Sequence, residues 1–385
     1  MGMRRELACV SRHVRKTLAF LSIVVVAGWF SGSTLEAQNA NALAGFQRAL
    51  RHAGDRPVRV GVYGASHTAS DEYTRVLRSS LQRRFGDGGV GWVLPSTPFV
   101  FYERAGIELF GTGWDGLRVR GRERRRDDYG LAGFALNTER GANSRVRLPS
   151  HNTQELKISY LQQPGGGLVH VSWGSESRIV DTDGPRETTS VTLSESLGDV
   201  RELTLVATGR VRVFGLDMTR AAGVTVDAFG VPGTRAGDQL PWRERSLAQS
   251  LRTRPFDLVI LAYGTNESAR RERPSERDSL QRVVRGWRAR SPDASCLLLG
   301  PGEWPRYRRG QWRPRPRTLE VIAEQRRVAA EEGCAFFDVY AWMGGEGSMS
   351  RWVEVGLAES DHVHFTRRGY ARLGRALYEF LMDGA

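Results

Sequence analysis

The chain has 385 residues, 40% hydrophobic and 26% charged, a globular composition long enough for two domains and a sizeable core. Its formal net charge is +13, and Lys16 and Lys157 are its only lysines, so arginine carries the excess. A bias that uniform reads as genomic base composition, and with no recognition motif beside it, nucleic acid is excluded as the expected partner.

The first feature in chain order is a targeting segment. Arg4, Arg5, Arg12, Arg15 and Lys16 precede an uncharged stretch from Thr17 to Leu35 with its apolar centre at Leu18 to Phe30. Small residues follow at Ala37, Ala40, Ala42 and Ala44. That order is the order of a secretory signal. Residues 1–44 are expected to be a signal peptide, with an uncleaved membrane anchor as the alternative; the apolar centre is short for a span, which needs about 20 residues. Leu7-Ala8-Cys9 imitates a lipoprotein site but precedes the apolar stretch instead of following it. A secreted, periplasmic or envelope location follows.

Val58 to Tyr63 is a buried strand, and Asp71 to Phe85 has helical spacing at Tyr73, Val76, Leu77 and Leu81. After Gly86-Asp87-Gly88-Gly89 the helical pattern stops. From Phe99 to Thr219 short alternating runs are broken by Gly, Asp, Asn and Pro, most clearly at Leu156 to Tyr160, Leu168 to Trp173, Thr189 to Leu193, Glu202 to Ala207 and Val211 to Leu216. Such spacing predicts a β-sandwich or jelly roll. The α/β rhythm then resumes. Strands are expected at Val224 to Phe229, Asp257 to Tyr263, Ser295 to Leu299 and Ala335 to Val339. Helices are expected at Leu240 to Leu251, Leu280 to Arg288, Leu319 to Glu331 and Thr366 to Leu381, the last with Thr366 as N-cap. The predicted fold is α/β: a three-layer α/β/α, doubly wound, parallel five-stranded sheet. Residues 45–98 and 222–385 form this domain, and 99–221 are a β-rich insert.

Two arginine runs stand out, Arg122 with Arg124 to Arg126, and Arg306, Arg308, Arg309, Arg313, Arg315 and Arg317. Both read as solvated loops, with attraction to an anionic polymer such as a cell wall or a membrane surface as the sharper reading. Once a signal is removed, Cys296 and Cys334 remain, without metal-ligand spacing. They open neighbouring strands and could pair in an oxidising compartment, but bonds between adjacent strands are usually strained, so two buried thiols are expected.

In a sheet of this kind, ligands bind where loops leave the carboxyl ends of the strands. Four such loops carry chemical residues: Gly64-Ala65-Ser66-His67-Thr68, Gly230-Val231-Pro232-Gly233-Thr234, Gly264-Thr265-Asn266-Glu267, and Asp361-His362-Val363-His364. A serine hydroxyl needs a base to take its proton. Ser66 is the expected nucleophile and His364 the base, with Asp361 orienting the imidazole because positions i and i+3 of a turn approach each other. His362 is adjacent to Asp361, where side chains diverge, and is not preferred. The oxyanion is expected to meet the Ser66 and Gly233 N–H groups and the Asn266 amide.

These four blocks resemble those of the SGNH hydrolases, also called the GDSL family, in which a serine, a glycine, an asparagine and a histidine stand in separated blocks with an Asp three residues before the His. The matched positions are Ser66, Gly233, Asn266, His364 and Asp361, over roughly Arg56 to Pro98 and Ala222 to the C-terminus. Ala65 departs from the pattern, where many members carry Asp. The Ser66-His67-Thr68 form, the Gly86-Asp87-Gly88-Gly89 turn and the long insert look more specifically like bacterial cell-wall O-acetylesterases, whose β-sandwich resembles a carbohydrate-binding module. The resemblance implies a serine esterase removing acyl groups, acetyl first, from carbohydrate or peptidoglycan hydroxyls through an acyl-serine intermediate, with no metal or organic cofactor. A carbohydrate O-acyltransferase using the same triad, a lipase or thioesterase, and a non-catalytic glycan-binding protein are the alternatives. The oligomeric state is left open. His67 is expected to orient the serine loop, His151 and His170 to stand apart from the chemistry, and Glu267 is given no role. Trp242, Trp304 and Trp312 are either a sugar platform or buried.

Overall fold

The structure is a computed structural model that describes residues 36–120, 126–149, 155–198, 200–269 and 278–383. The targeting segment up to residue 35, His151 and Arg122, Arg124 and Arg125 of the first arginine run lie outside the described residues. The central sheet is parallel and five-stranded, in the order Gly223–Gly230, Pro57–Gly64, Leu258–Ala262, Ser295–Leu299, Ala335–Phe337. Its strands are buried on both faces because helices cover both. Val58, Val60, Val62, Leu258, Ile260, Leu297 and Leu299 face a layer built from Leu43, Phe46 and Leu50 of the helix over residues 36–51, from Glu72–Phe85 and from Arg367–Met382. Tyr63, Val259, Leu261 and Leu298 face the helices Glu244–Thr253, Ser279–Arg290 and Pro316–Glu332. Near-continuous apolar strands are what a two-sided cover demands.

Between the first strand and its neighbour Gly223–Gly230 the chain makes two antiparallel sheets, one of six strands and one of five. Both contribute to one apolar filling that includes Val146, Leu156, Ile158, Val169, Leu203, Leu205, Val213 and Leu216. The alternation is direct: Gly141–Arg147 and Glu202–Thr208 bury every second residue. This is the inserted β domain. The excursion begins and ends at one place. Gly88 N–H donates to the Val224 carbonyl at 3.1 Å, and Val224 N–H donates to the Gly86 carbonyl at 2.9 Å.

Three local expectations shift. The helix expected from Leu240 is a 3-10 turn, Ala236–Gln239, followed by Glu244–Thr253. The last strand stops at Phe337, because Asp338 accepts the Ala341 N–H and caps the short helix Val339–Met343. Cys296 and Cys334 are bonded, not free thiols, with Cα atoms 4.7 Å apart. Cys334 follows Gly333, which ends the helix Pro316–Glu332 in the left-handed region, and it precedes the first ladder pair Leu297–Ala335. It therefore lies just outside the ladder, where its side chain can turn toward the neighbouring strand. Thr366 caps Arg367–Met382 as expected, accepting the Gly369 N–H at 3.3 Å.

Candidate active site

The central strand ends at Gly64, and Ser66 opens a single helical turn, Ser66–Ala69. Gly64 is required there, since a side chain would run into Thr68 and the Ala262 carbonyl. The flanking strands deliver the other loops on either side of the serine, with neighbouring strands about 4.8 Å apart. Gly233 follows Gly223–Gly230, and Asn266 lies in the turn Thr265–Ser268 after Leu258–Ala262.

Ser66 Oγ lies 2.9 Å from His364 Nε2, and His364 Nδ1 lies 2.6 Å from Asp361 Oδ2. The other carboxylate oxygen, Oδ1, accepts the backbone N–H groups of Val363 at 2.9 Å and His364 at 3.0 Å, so the acid folds the turn that carries its own partner. Burial works against ionisation of Asp361, but the His364 ring and these N–H groups outweigh it and hold the carboxyl below the usual carboxylate range. His362 points elsewhere. Its backbone is left-handed at φ 57°, its Nδ1 donates to the Ser360 carbonyl at 3.0 Å, and its ring stacks on Trp312.

Asn266 Nδ2 donates to the Thr234 carbonyl at 2.9 Å, which leaves its second amide hydrogen available and ties its loop to the glycine loop. Among the described residues, the Ser66 and Gly233 N–H groups have no acceptor. Glu267, left without a role by its sequence, fastens the same two loops. Its Oε1 accepts Ala236 N–H at 2.8 Å and its Oε2 accepts Gly264 N–H at 2.9 Å. Burial raises its carboxyl despite those bonds. Its position three residues after Gly264 is capping-box spacing, a signal present in the sequence. His67 Nδ1 meets the Tyr370 hydroxyl at 2.9 Å, and its ring lies 5.2 Å from that of His364. Burial and the neighbouring His364 bring its imidazole down to about 3, so it stays neutral near pH 7.

Arg120, two residues after the insert strand Asp115–Arg118, was not singled out by the sequence. Its guanidinium donates to the Pro232 carbonyl at 2.6 Å and occupies the space over Gly233. Of the three tryptophans, Trp242 is buried against Tyr63 and Tyr129, Trp304 is half-buried beneath Arg315, and Trp312 is exposed. His170 sits exposed on the insert strand Leu168–Trp173.

The model of the GDSL-like lipase/acylhydrolase family matches residues 207–372, a span that holds Gly233, Asn266, Asp361 and His364. A solved structure of a peptidoglycan O-acetylesterase is similar over 89% of this chain and 96% of its own, at 26% identity and a TM-score of 0.75. The chain is therefore similar to the SGNH/GDSL hydrolases in sequence over residues 207–372 and in fold along most of its length. Ser66 falls outside the matched span because the insert separates its block from the others. Lesser likenesses include a lipase/acylhydrolase from Enterococcus faecalis, 21% identical over 41% of this chain and 75% of its own with a TM-score of 0.32. An acetylxylan esterase from Geobacillus stearothermophilus, in a catalytic mutant form, is 16% identical over 42% of this chain and 73% of its own, with a TM-score of 0.31. No curated protein matches the chain in sequence. Like the SGNH hydrolases, the protein is an ester hydrolase. Its disulfide points to a compartment outside the cytoplasm, where such bonds persist. Among the described residues no helix is long and apolar enough to cross a membrane.

Proposed function

We propose that this SGNH-like hydrolase removes O-acetyl groups from carbohydrate, with peptidoglycan as the first substrate to test. Ser66 Oγ attacks the ester carbonyl while His364 Nε2 takes its proton, and Asp361 holds the imidazolium that forms. The charge on the carbonyl oxygen is received by the Ser66 and Gly233 N–H groups and the Asn266 amide. Collapse breaks the bond to the sugar oxygen, which takes the proton from His364 and leaves as the alcohol. Water, deprotonated by His364, then attacks the acetyl-Ser66 ester; collapse breaks the bond to Ser66 Oγ, which takes the proton back from His364, and acetate is released.

The observation that carries this reading is the relay from Ser66 to His364 to Asp361 at 2.9 and 2.6 Å. The acetyl and glycan parts rest on the resemblance to the peptidoglycan O-acetylesterase along nearly the whole chain. In this reading residues 45–98 and 222–385 do the chemistry, 99–221 engage the glycan, and 1–44 direct the protein to the periplasm or hold it at the cell envelope.

Ser66→Ala is expected to lower aryl acetate hydrolysis by at least about a thousand-fold with its melting temperature preserved. Full activity in that variant overturns the triad. Acetate release from O-acetylated peptidoglycan, measured beside acetylated xylan, tests the substrate; release from xylan alone sinks the peptidoglycan assignment.

A further inference from the structure

Between the Asn266 loop and the Asp361–His364 turn runs a segment that the chemistry leaves unused. Its start is anchored by Glu303, which is buried and accepts the backbone N–H groups of Gly347 and Met349, each at 2.7 Å. A hairpin follows, Arg306–Arg308 against Gln311–Arg313, with every strand residue exposed. Its loop is Arg309-Gly310, at φ 51° and 75°, the left-handed pair of a type I′ turn. Asn, Asp or Gly is the usual first residue of such a turn; here an arginine takes the strain and puts a cation at the tip.

The hairpin straddles the catalytic edge. On one side Arg315 lies 4.4 Å over the Trp304 ring and donates to the carbonyl of Ala269, next to the Asn266 turn, at 3.4 Å. On the other side Trp312 stacks on His362 with centroids 3.7 Å apart and 18° between the planes. His362 stands between Asp361 and His364 in the chain. Tyr307 is the ladder partner of Trp312, meets it at 5.1 Å, and is 63% exposed. Arg306, Arg308 and Arg313 flank these two residues in the chain on the opposite face of the hairpin, Arg309 stands at its turn, and among the described residues none of the four pairs with a carboxylate. A surface of this kind offers flat apolar faces to a sugar ring and unspent positive charge to an anion.

We propose that the hairpin is a glycan clasp: a binding site at the rim of the catalytic edge for a polysaccharide strand that carries carboxylates. A sugar ring lies on Tyr307 and Trp312, and the four arginines meet the strand's carboxylates. The clasp rests on the reading of the protein as a carbohydrate esterase and specifies the charge of its substrate. A membrane surface would engage the arginines, but ring faces placed beside the acyl site suit a polymer of sugars.

The test uses Ser66→Ala protein, titrated with carboxymethylcellulose and with uncharged hydroxyethylcellulose at low and high salt. At low salt the carboxylated polymer is expected to bind at least about ten-fold more tightly, and high salt to erase that preference. Adding R306Q/R308Q/R309Q/R313Q removes the preference, whereas R48Q/R51Q/R83Q/R84Q, an equal loss of charge on exposed residues outside the insert, retains it. Adding Tyr307→Ala weakens binding of both polymers. Equal binding of the two polymers, an equal loss in the control variant, or hairpin-dependent binding to phosphatidylglycerol vesicles but not to carboxymethylcellulose overturns the clasp. Melting curves identify any variant that fails to fold, and the single substitution R309Q then carries the comparison. Acetate release by the unsubstituted protein tests the esterase reading separately: hydrolysis without carboxylate preference removes only the clasp, and carboxylate-dependent binding without hydrolysis removes only the esterase.

Discussion

A side chain at position 233 would collide with the Arg120 guanidinium, and the backbone there is left-handed at φ 76°. Both facts ask for glycine, and under the proposed mechanism they make Arg120 a positioning residue, since it holds the Pro232 carbonyl beside the Gly233 N–H. Arg120→Ala is expected to lower kcat on a small acetate ester roughly ten-fold with little change in KM, and Arg120→Lys to recover only part of it. A fall in KM-dependent terms alone would mean that the arginine binds substrate instead. The sequence carried the Asp361–His364 pair because a turn of four residues brings the two together locally, and it carried Ser66 only through the block that resembles a family pattern. It could not carry Arg120, whose contact crosses from the insert to a loop far along the chain. Glu267 lay between these cases, with spacing that marked a cap but not the second loop it holds.

At the scale of elements, hydrophobic period decided most of the outcome. Leu168 to Trp173 was readable to the residue because its alternation is strict, and the last helix because Thr366 caps it. Val339 joined its helix because the Asp338 cap outweighed the β preference of a short apolar run. The Cys296–Cys334 bond depends on where a strand's ladder begins, which no local pattern fixes. That bond has a measurable consequence, since it closes a sequence separation of 38 residues that includes the hairpin and the helix Pro316–Glu332. A loop of that length is worth about 4 kcal/mol in the chain-entropy account. Reduction, or Cys334→Ser, is expected to lower the melting temperature by roughly 5–10 °C, and unreduced peptide mapping should recover the two cysteines joined. An unchanged melting curve after confirmed reduction would contradict this.

At the scale of the whole molecule, the two domains meet through buried charge. Asp71 pairs with Arg78 at 2.6 Å and with Arg104 at 3.6 Å, Arg104 reaches Asp227 at 3.6 Å, and Arg254 joins Asp227 at 2.7 Å to Asp217 at 3.0 Å. Asp227 also accepts the Trp92 N–H at 2.8 Å. Arg104 and Asp217 belong to the insert side, and Asp71, Asp227 and Arg254 to the parallel sheet and its helices. Removing one member leaves opposite charges buried and unmatched, so Asp227→Ala is expected to cost about 3–5 kcal/mol in denaturant unfolding. A loss below about 1 kcal/mol would show that the network relaxes around the gap. None of this was legible in advance, because isolated Asp and Arg residues read as surface until the chain brings them together.

The shared departure and return point of the insert has a further consequence. Ser66 lies before the excursion and Gly233, Asn266, Asp361 and His364 after it, yet Pro57–Gly64 and Gly223–Gly230 are paired residue for residue along their full length. The protein is thus a split enzyme sewn along one seam. A chain severed at an exposed turn of the insert, such as Gly174-Ser175, would be two polypeptides in the covalent sense and still one active site, because the halves are held by the parallel ladder and the buried charges, not by the peptide bond that was lost.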